Sequence, residues 1–184
     1  MARTITYSKE DILDKSVEFI KKYGYSKLTV RELAKFIGCS TQPIFKNYIN
    51  FDMYKEDLKI YLRKDYTSFI NKYVDKLDYL YTISYAYALY AKKEPNVFSS
   101  LFMADLAGSR TIREVLDTDR NKETIVAMLK QYNLTLEEAE KIYREVRFYT
   151  HGIATQLCVN SIKLTDKELE ELIKNNIKMN LRGK

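Results

Sequence analysis

The chain is short of several things, and each shortage closes a class of answer. Of 184 residues, five are Gly and two are Pro. Sheets with many tight turns draw heavily on both, so the expected structure is helical. There is no Trp and one His, His151. Cys39 and Cys158 are the only cysteines and stand far apart. They make no disulfide framework, and with one His they supply no structural zinc site, so neither a metal nor a cofactor is expected. No run of about 18 apolar residues occurs, so no membrane-spanning helix is expected. The opening MARTITYSKEDI has no apolar signal core. The expectation is a cytoplasmic protein with no membrane partner. A phosphate loop, a Ser/His/Asp or Cys/His set and a carboxylate pair flanking a cleft are all missing. No catalytic residue is therefore assigned, and an enzyme is not expected.

What is present is ordinary for a globular chain, with 46% apolar and 30% charged residues. The net charge is +6 and unevenly spread. Residues 1–64 carry 13 Lys/Arg against 8 Asp/Glu, and residues 65–184 carry 18 against 17. The excess is +5 in the first segment and +1 in the second. A basic segment of this kind matches a polyanionic partner. The second segment is rich in tyrosine, which combines an apolar ring with a polar tip.

Apolar periodicity divides the chain into about nine helices. Ser8 with Asp11, Thr29 with Glu32, Thr135 with Glu138 and Thr165 with Glu168 have the spacing of capping boxes, in which side chain and backbone satisfy each other's donors. The predicted helices cover about 9–23, 29–37, 41–48, 53–73, 78–93, 96–107, 121–132, 135–162 and 165 to near the end. A short helix within 110–118 is a further candidate. Pro95 ends one helix, because the residue before proline avoids helical angles. No heptads and no long repeats occur.

The stretch from Leu28 to Tyr48, LTVRELAKFIGCSTQPIFKNY, organises the rest. Val30, Leu33, Ala34 and Ile37 give its first helix one apolar face. Gly38 follows the last apolar position, where a left-handed residue ends a helix. Ser40 is expected to cap a second helix, whose apolar set is Ile44, Phe45 and Tyr48. Helix, short turn with Gly, helix is the helix-turn-helix layout, whose second helix enters the DNA major groove.

This stretch resembles the DNA-binding module of the TetR family of bacterial transcriptional regulators. The shared pattern is Thr29, then Leu33-Ala34, then Gly38-Cys39-Ser40, then Ile44-Phe45 and Tyr48, within roughly residues 8–58. Pro43, Phe45 and Phe51 depart from it, standing where the family often has a small residue, Tyr and Lys. The resemblance implies an all-α fold in two parts: a helix-turn-helix DNA-binding domain over 1–50, and a helical effector-binding and dimerisation domain over 51–184. It implies a homodimer formed through the last two long helices, a palindromic operator in double-stranded DNA, and a small-molecule effector that releases the repressor. A DNA-binding regulator without an effector is the alternative.

Residue types then suggest roles. Gln42 can pair with adenine, and Lys46 can reach a guanine edge or a phosphate. Pro43 offers an apolar contact to a thymine methyl. Thr29 and Arg31 are placed for phosphate contacts, with Lys9 and Lys27 as further cations. The candidate DNA-binding set is Thr29, Arg31, Ser40, Thr41, Gln42, Pro43, Phe45, Lys46 and Tyr48. The candidate effector-binding set is Tyr85, Phe98, Phe102, Met103, Tyr149 and Gln156. His151 and Cys39 are expected to be packing residues. By the resemblance, Gly152 allows close helix approach.

Overall fold

The structure is a computed structural model that describes residues 7–103 and 108–182. Among the described residues there are ten α-helices and no strand: an all-α fold. The helices are α1 (Lys9–Tyr23), α2 (Val30–Ile37), α3 (Gln42–Asn47), α4 (Phe51–Asn71) and α5 (Tyr79–Lys93). They continue with α6 (Pro95–Phe102), α7 (Ile112–Leu116), α8 (Asp119–Tyr132), α9 (Leu136–Cys158) and α10 (Asp166–Leu181). The end expected for α6, at 104–107, lies outside the described residues.

The described chain forms two compact units. One holds residues 7–66 and 96–103, the other 67–95 and 108–182.

In the first unit, the buried face of α1 is Ile12, Leu13, Val17, Phe19 and Ile20, at helical spacing. Ser8 and Asp11 close a full capping box at its start. Leu33 and Ala34 of α2, Ile44 of α3, and Tyr54, Leu58 and Leu62 of α4 are also buried. One polar thread runs through these side chains. Tyr54 Oη donates to Ser16 Oγ at 2.7 Å, and Ser16 Oγ donates to Ile12 O at 2.6 Å. Both hydroxyls therefore keep partners out of water. Asn96 at the start of α6 donates to Lys21 O near the end of α1, at 2.9 Å. Gly24 ends α1 with φ +83°, a conformation that favours glycine.

In the second unit, α5 packs chiefly against α9. Ala86, Ala88 and Ala91 of α5 are fully buried, and small side chains let two helices approach closely. The opposing face of α9 is Ala139, Ile142, Val146, Ile153 and Ala154, all buried. Thr135 with Glu138 and Thr165 with Glu168 form the expected capping boxes. A third box, Thr111 with Glu114, opens α7. Lys92 of α5 donates to Leu164 O at 2.8 Å and pairs with Asp166 at 2.7 Å, which fixes the turn before α10.

Four expectations need correction. The helix expected to reach residue 162 stops at Cys158, since Asn160 turns left-handed with φ +55°. Only half of the Thr29 box forms: its Oγ1 accepts from Glu32 N at 3.1 Å. Gly152 is exposed, and a Cβ there would meet nothing within 4 Å, so among the described residues the expected close approach is not made within one chain. Phe45 is 56% exposed and is not part of the core with Ile44 and Tyr48.

Candidate nucleic-acid interface

The interface begins with how α2 ends. Gly38 adopts φ +82°, ψ 31°, and its N–H donates to Ala34 O at 3.0 Å. Cys39 N also donates to Ala34 O, at 3.0 Å, and Gly38 N reaches Lys35 O at 3.2 Å, so two of the orphan carbonyls at the end of α2 are used. The chain then turns and restarts at α3. Ser40 does not cap α3 as expected. Thr41 holds the cap position without a side-chain cap bond, and Ser40 Oγ accepts from Gln42 N at 3.4 Å. Pro43 sits at the start of α3, where its missing N–H costs nothing.

Two residues clamp α3 from below. Ile44 and Tyr48 are each 2% exposed. The Tyr48 ring meets Tyr54 edge-on, and burial pushes its phenol up to about 12. Tyr48 was a candidate DNA contact. Its hydroxyl is buried and faces no solvent, so it clamps the helix instead. Asn47 fixes the side of α3, donating to Tyr7 O at 3.0 Å and to Pro43 O at 2.8 Å.

The opposite face is open. Gln42, Phe45 and Lys46 are exposed and fall within one arc of the helix. Thr41 and Pro43 are half-buried beside them. Ile44 and Phe45 stand four and three residues before Tyr48, so spacing alone puts both near its face; burial separates them, with Ile44 closed off and Phe45 open.

The electrostatics favour an anion. Residues 24–50 contain Lys27, Arg31, Lys35 and Lys46 against one acid, Glu32. None of these four cations makes an ion pair among the described residues. Lys9 is different: it pairs with Asp57 at 2.9 Å and lies over the Tyr48 ring at 4.8 Å. Its expected role as a phosphate contact competes with that pair. Thr29 and Arg31 are exposed at the start of α2. Thr29 Oγ1 accepts one bond and keeps a proton to donate.

Two further apolar side chains follow α3 in the open. Ile49, two residues past the end of α3, is 86% exposed, and Met53 of α4 is 45% exposed. Helical spacing does not signal Ile49, because Tyr48 leaves the helix with φ −134° and ψ 123°.

The effector candidates fall into both units. In the first, Phe98 is fully buried, and the Phe102 ring meets Phe98 at a tilt and Tyr66 edge-on, with centroids 5.0 and 5.1 Å apart. Met103 is 38% exposed. In the second, Tyr85 contacts Tyr73 and Tyr81 within an aromatic row, while Tyr149 and Gln156 are exposed on α9. A groove of about 320 Å³ lies between Tyr25, Phe51 and Lys55 in the first unit. Another of about 340 Å³ lies between Tyr81, Lys174 and Ile177 in the second. Neither is lined by an effector candidate.

His151 is a packing residue, as expected. Its Nδ1 and Tyr87 Oη share a hydrogen bond of 2.8 Å. Burial and the nearby Arg147 cation push its pKa below the usual histidine value. Cys39 is half-buried, and burial pushes its thiol up, so it has no thiolate character. Cys158 Sγ donates to Pro95 O at 3.2 Å. Among the described residues no group of three His, Cys, Asp or Glu is placed to hold a metal, and no helix is long and apolar enough to cross a membrane.

No family model matches the sequence, and no curated protein matches it. The structure does have solved relatives in fold. It is similar to the crystal structure of a TetR-like transcriptional regulator from Rhodococcus sp. RHA1, with a TM-score of 0.63. The match covers 99% of this chain and 100% of that one at 12% sequence identity. Likeness at so low an identity is likeness of fold, carried by helix length and apolar pattern.

Proposed function

We propose that this chain, which has the fold of the TetR-like regulators, is a DNA-binding transcriptional regulator. One observation carries the reading most: α3 is clamped by Ile44 and Tyr48 and offers Gln42 and Lys46 to solvent, in a segment with four cations and one acid. A recognition helix needs this division between a fixed face and a reading face. Gln42 pairs with an adenine edge, Lys46 with guanine or phosphate, and Thr29 and Arg31 with the backbone.

The active species in this reading is a homodimer on a palindromic operator. Supporting it, α9 exposes Phe148 and Tyr149 beside Gly152, with Val159 exposed just past its end, and a second copy has room there. The regulator represses, and a small molecule bound in the second unit releases it by biasing α4, whose single run of helix spans both units. A second reading, a regulator that takes no small molecule, is favoured by the complete burial of Phe98.

Two measurements test these readings. Retention of duplex DNA must fall steeply with added salt, because phosphate contacts release counterions. A metabolite screen by thermal shift separates the two regulators, since a ligand that binds only the folded state raises its stability.

A further inference from the structure

Single exposed apolar side chains are common and need no explanation. Two in and just after α3 are less ordinary. Phe45 stands between Gln42 and Lys46 in the exposed arc of α3, and Ile49 follows α3 with 86% of its surface open. Both sit in a segment whose four cations lack carboxylate partners among the described residues and whose only acid is Glu32. Phe45 has no hydroxyl, and Pro43 beside it has no N–H, so neither can donate a hydrogen bond to a phosphate or a base edge. The matching partner is anionic overall and presents small apolar groups at the level of the bases. The major groove of DNA is such a surface, because thymine carries a C5-methyl there and cytosine does not.

We infer that Phe45 and Ile49 read thymine. Their side chains pack on thymine methyl groups next to the base pair addressed by Gln42, so the preferred half-site contains A·T pairs at those positions. Gln42 favours adenine by hydrogen bonding, and the two apolar residues favour the thymine methyls of neighbouring pairs by burial. The inference rests on the DNA-binding reading above.

The test removes the methyl and nothing else. A preferred duplex is selected from a random pool and synthesised with deoxyuridine replacing each thymine in turn. Affinities are read by fluorescence anisotropy at fixed salt. The wild type is expected to lose about 4-fold at each contacted methyl. In Phe45→Ala and Ile49→Ala the thymine duplex binds more weakly, and the penalty for uracil disappears at the position that side chain reads. Both residues are exposed, and a melting curve by circular dichroism confirms that the variants fold. Equal binding of thymine and uracil duplexes by the wild type overturns this inference alone. Failure to retain any duplex at low ionic strength overturns the DNA-binding reading with it. Sedimentation with phosphatidylserine vesicles that depends on Phe45 and Ile49, with no uracil penalty, assigns the patch to a lipid surface and overturns the inference.

Discussion

The Tyr48 ring stands edge-on to Tyr54, with centroids 5.2 Å apart and planes at 76°. This pair joins the residue after α3 to the first turn of α4. Tyr54 continues the connection through Ser16 to the backbone of α1. Helix α3 is therefore held by aromatic contact and a buried hydroxyl thread rather than by its own six residues, too few for a stable helix alone.

That arrangement predicts a graded loss of stability. Tyr54→Phe removes one buried hydrogen bond and should cost about 0.5–1.5 kcal/mol. Tyr54→Ala also removes the ring and should cost about 3–5 kcal/mol. Urea unfolding measures both. Equal effects would show that the ring contact adds nothing.

Gln42 and Lys46 should fail differently. Gln42→Ala should cost about 1–3 kcal/mol on the preferred duplex and relax the preference at one base pair. Lys46→Ala, if its contact is a phosphate, should weaken all duplexes alike and lower the slope of log affinity against log salt by about 0.9. Anisotropy titrations on preferred and unrelated duplexes over a salt series separate the two.

The capping boxes predict a pH dependence with a definite sign. Hydrogen bonds from Ser8 to Asp11, from Thr111 to Glu114 and from Thr165 to Glu168 hold these carboxylates below their ordinary values. Each contributes stability that is complete above the unfolded value, 3.8 for Asp and 4.5 for Glu, and is lost as pH falls through the lowered folded value. Glu168→Gln, which can still cap, should flatten the acid limb of a melting-temperature profile. An unchanged limb would show that the α10 cap adds no acid sensitivity.

His151 gives a second window nearer neutrality. Burial favours its neutral form, so its folded pKa lies below the ordinary 6.5. Stability is complete above 6.5 and is lost as pH falls below that value and through the lowered one. Tyr87 and Arg147 are among the groups that face it. His151→Gln should remove this slope between pH 7 and 5 in urea unfolding. A slope that persists belongs to another group.

Much of this architecture was legible because it is local. Ser8 and Asp11, or Thr165 and Glu168, declare a helix start within three residues, and Gly38 declares an end in one. The Thr111–Glu114 pair carries the same signal at the start of α7. What lay outside the sequence depended on distant contacts. The left-handed Asn160 ends α9 early, and nothing nearby distinguishes it from a helical Asn. Phe45 and Ile44 both stand at same-face spacing from Tyr48, and which of them is buried depends on the helices packed beneath α3. Which tyrosines of the second unit face a ligand depends on side chains from several helices. Tyr85 in an internal row and Tyr149 on an open face look alike in sequence.

The reading face of α3 is tested most directly by nuclease footprinting on a duplex selected from a random pool. The account predicts two protected patches related by a two-fold axis, with centres a whole number of helical turns of about 10–10.5 base pairs apart, and their loss in a Gln42→Ala, Lys46→Ala double variant that still folds. A footprint that survives that double variant unchanged, or the absence of any footprint at low ionic strength, would contradict it.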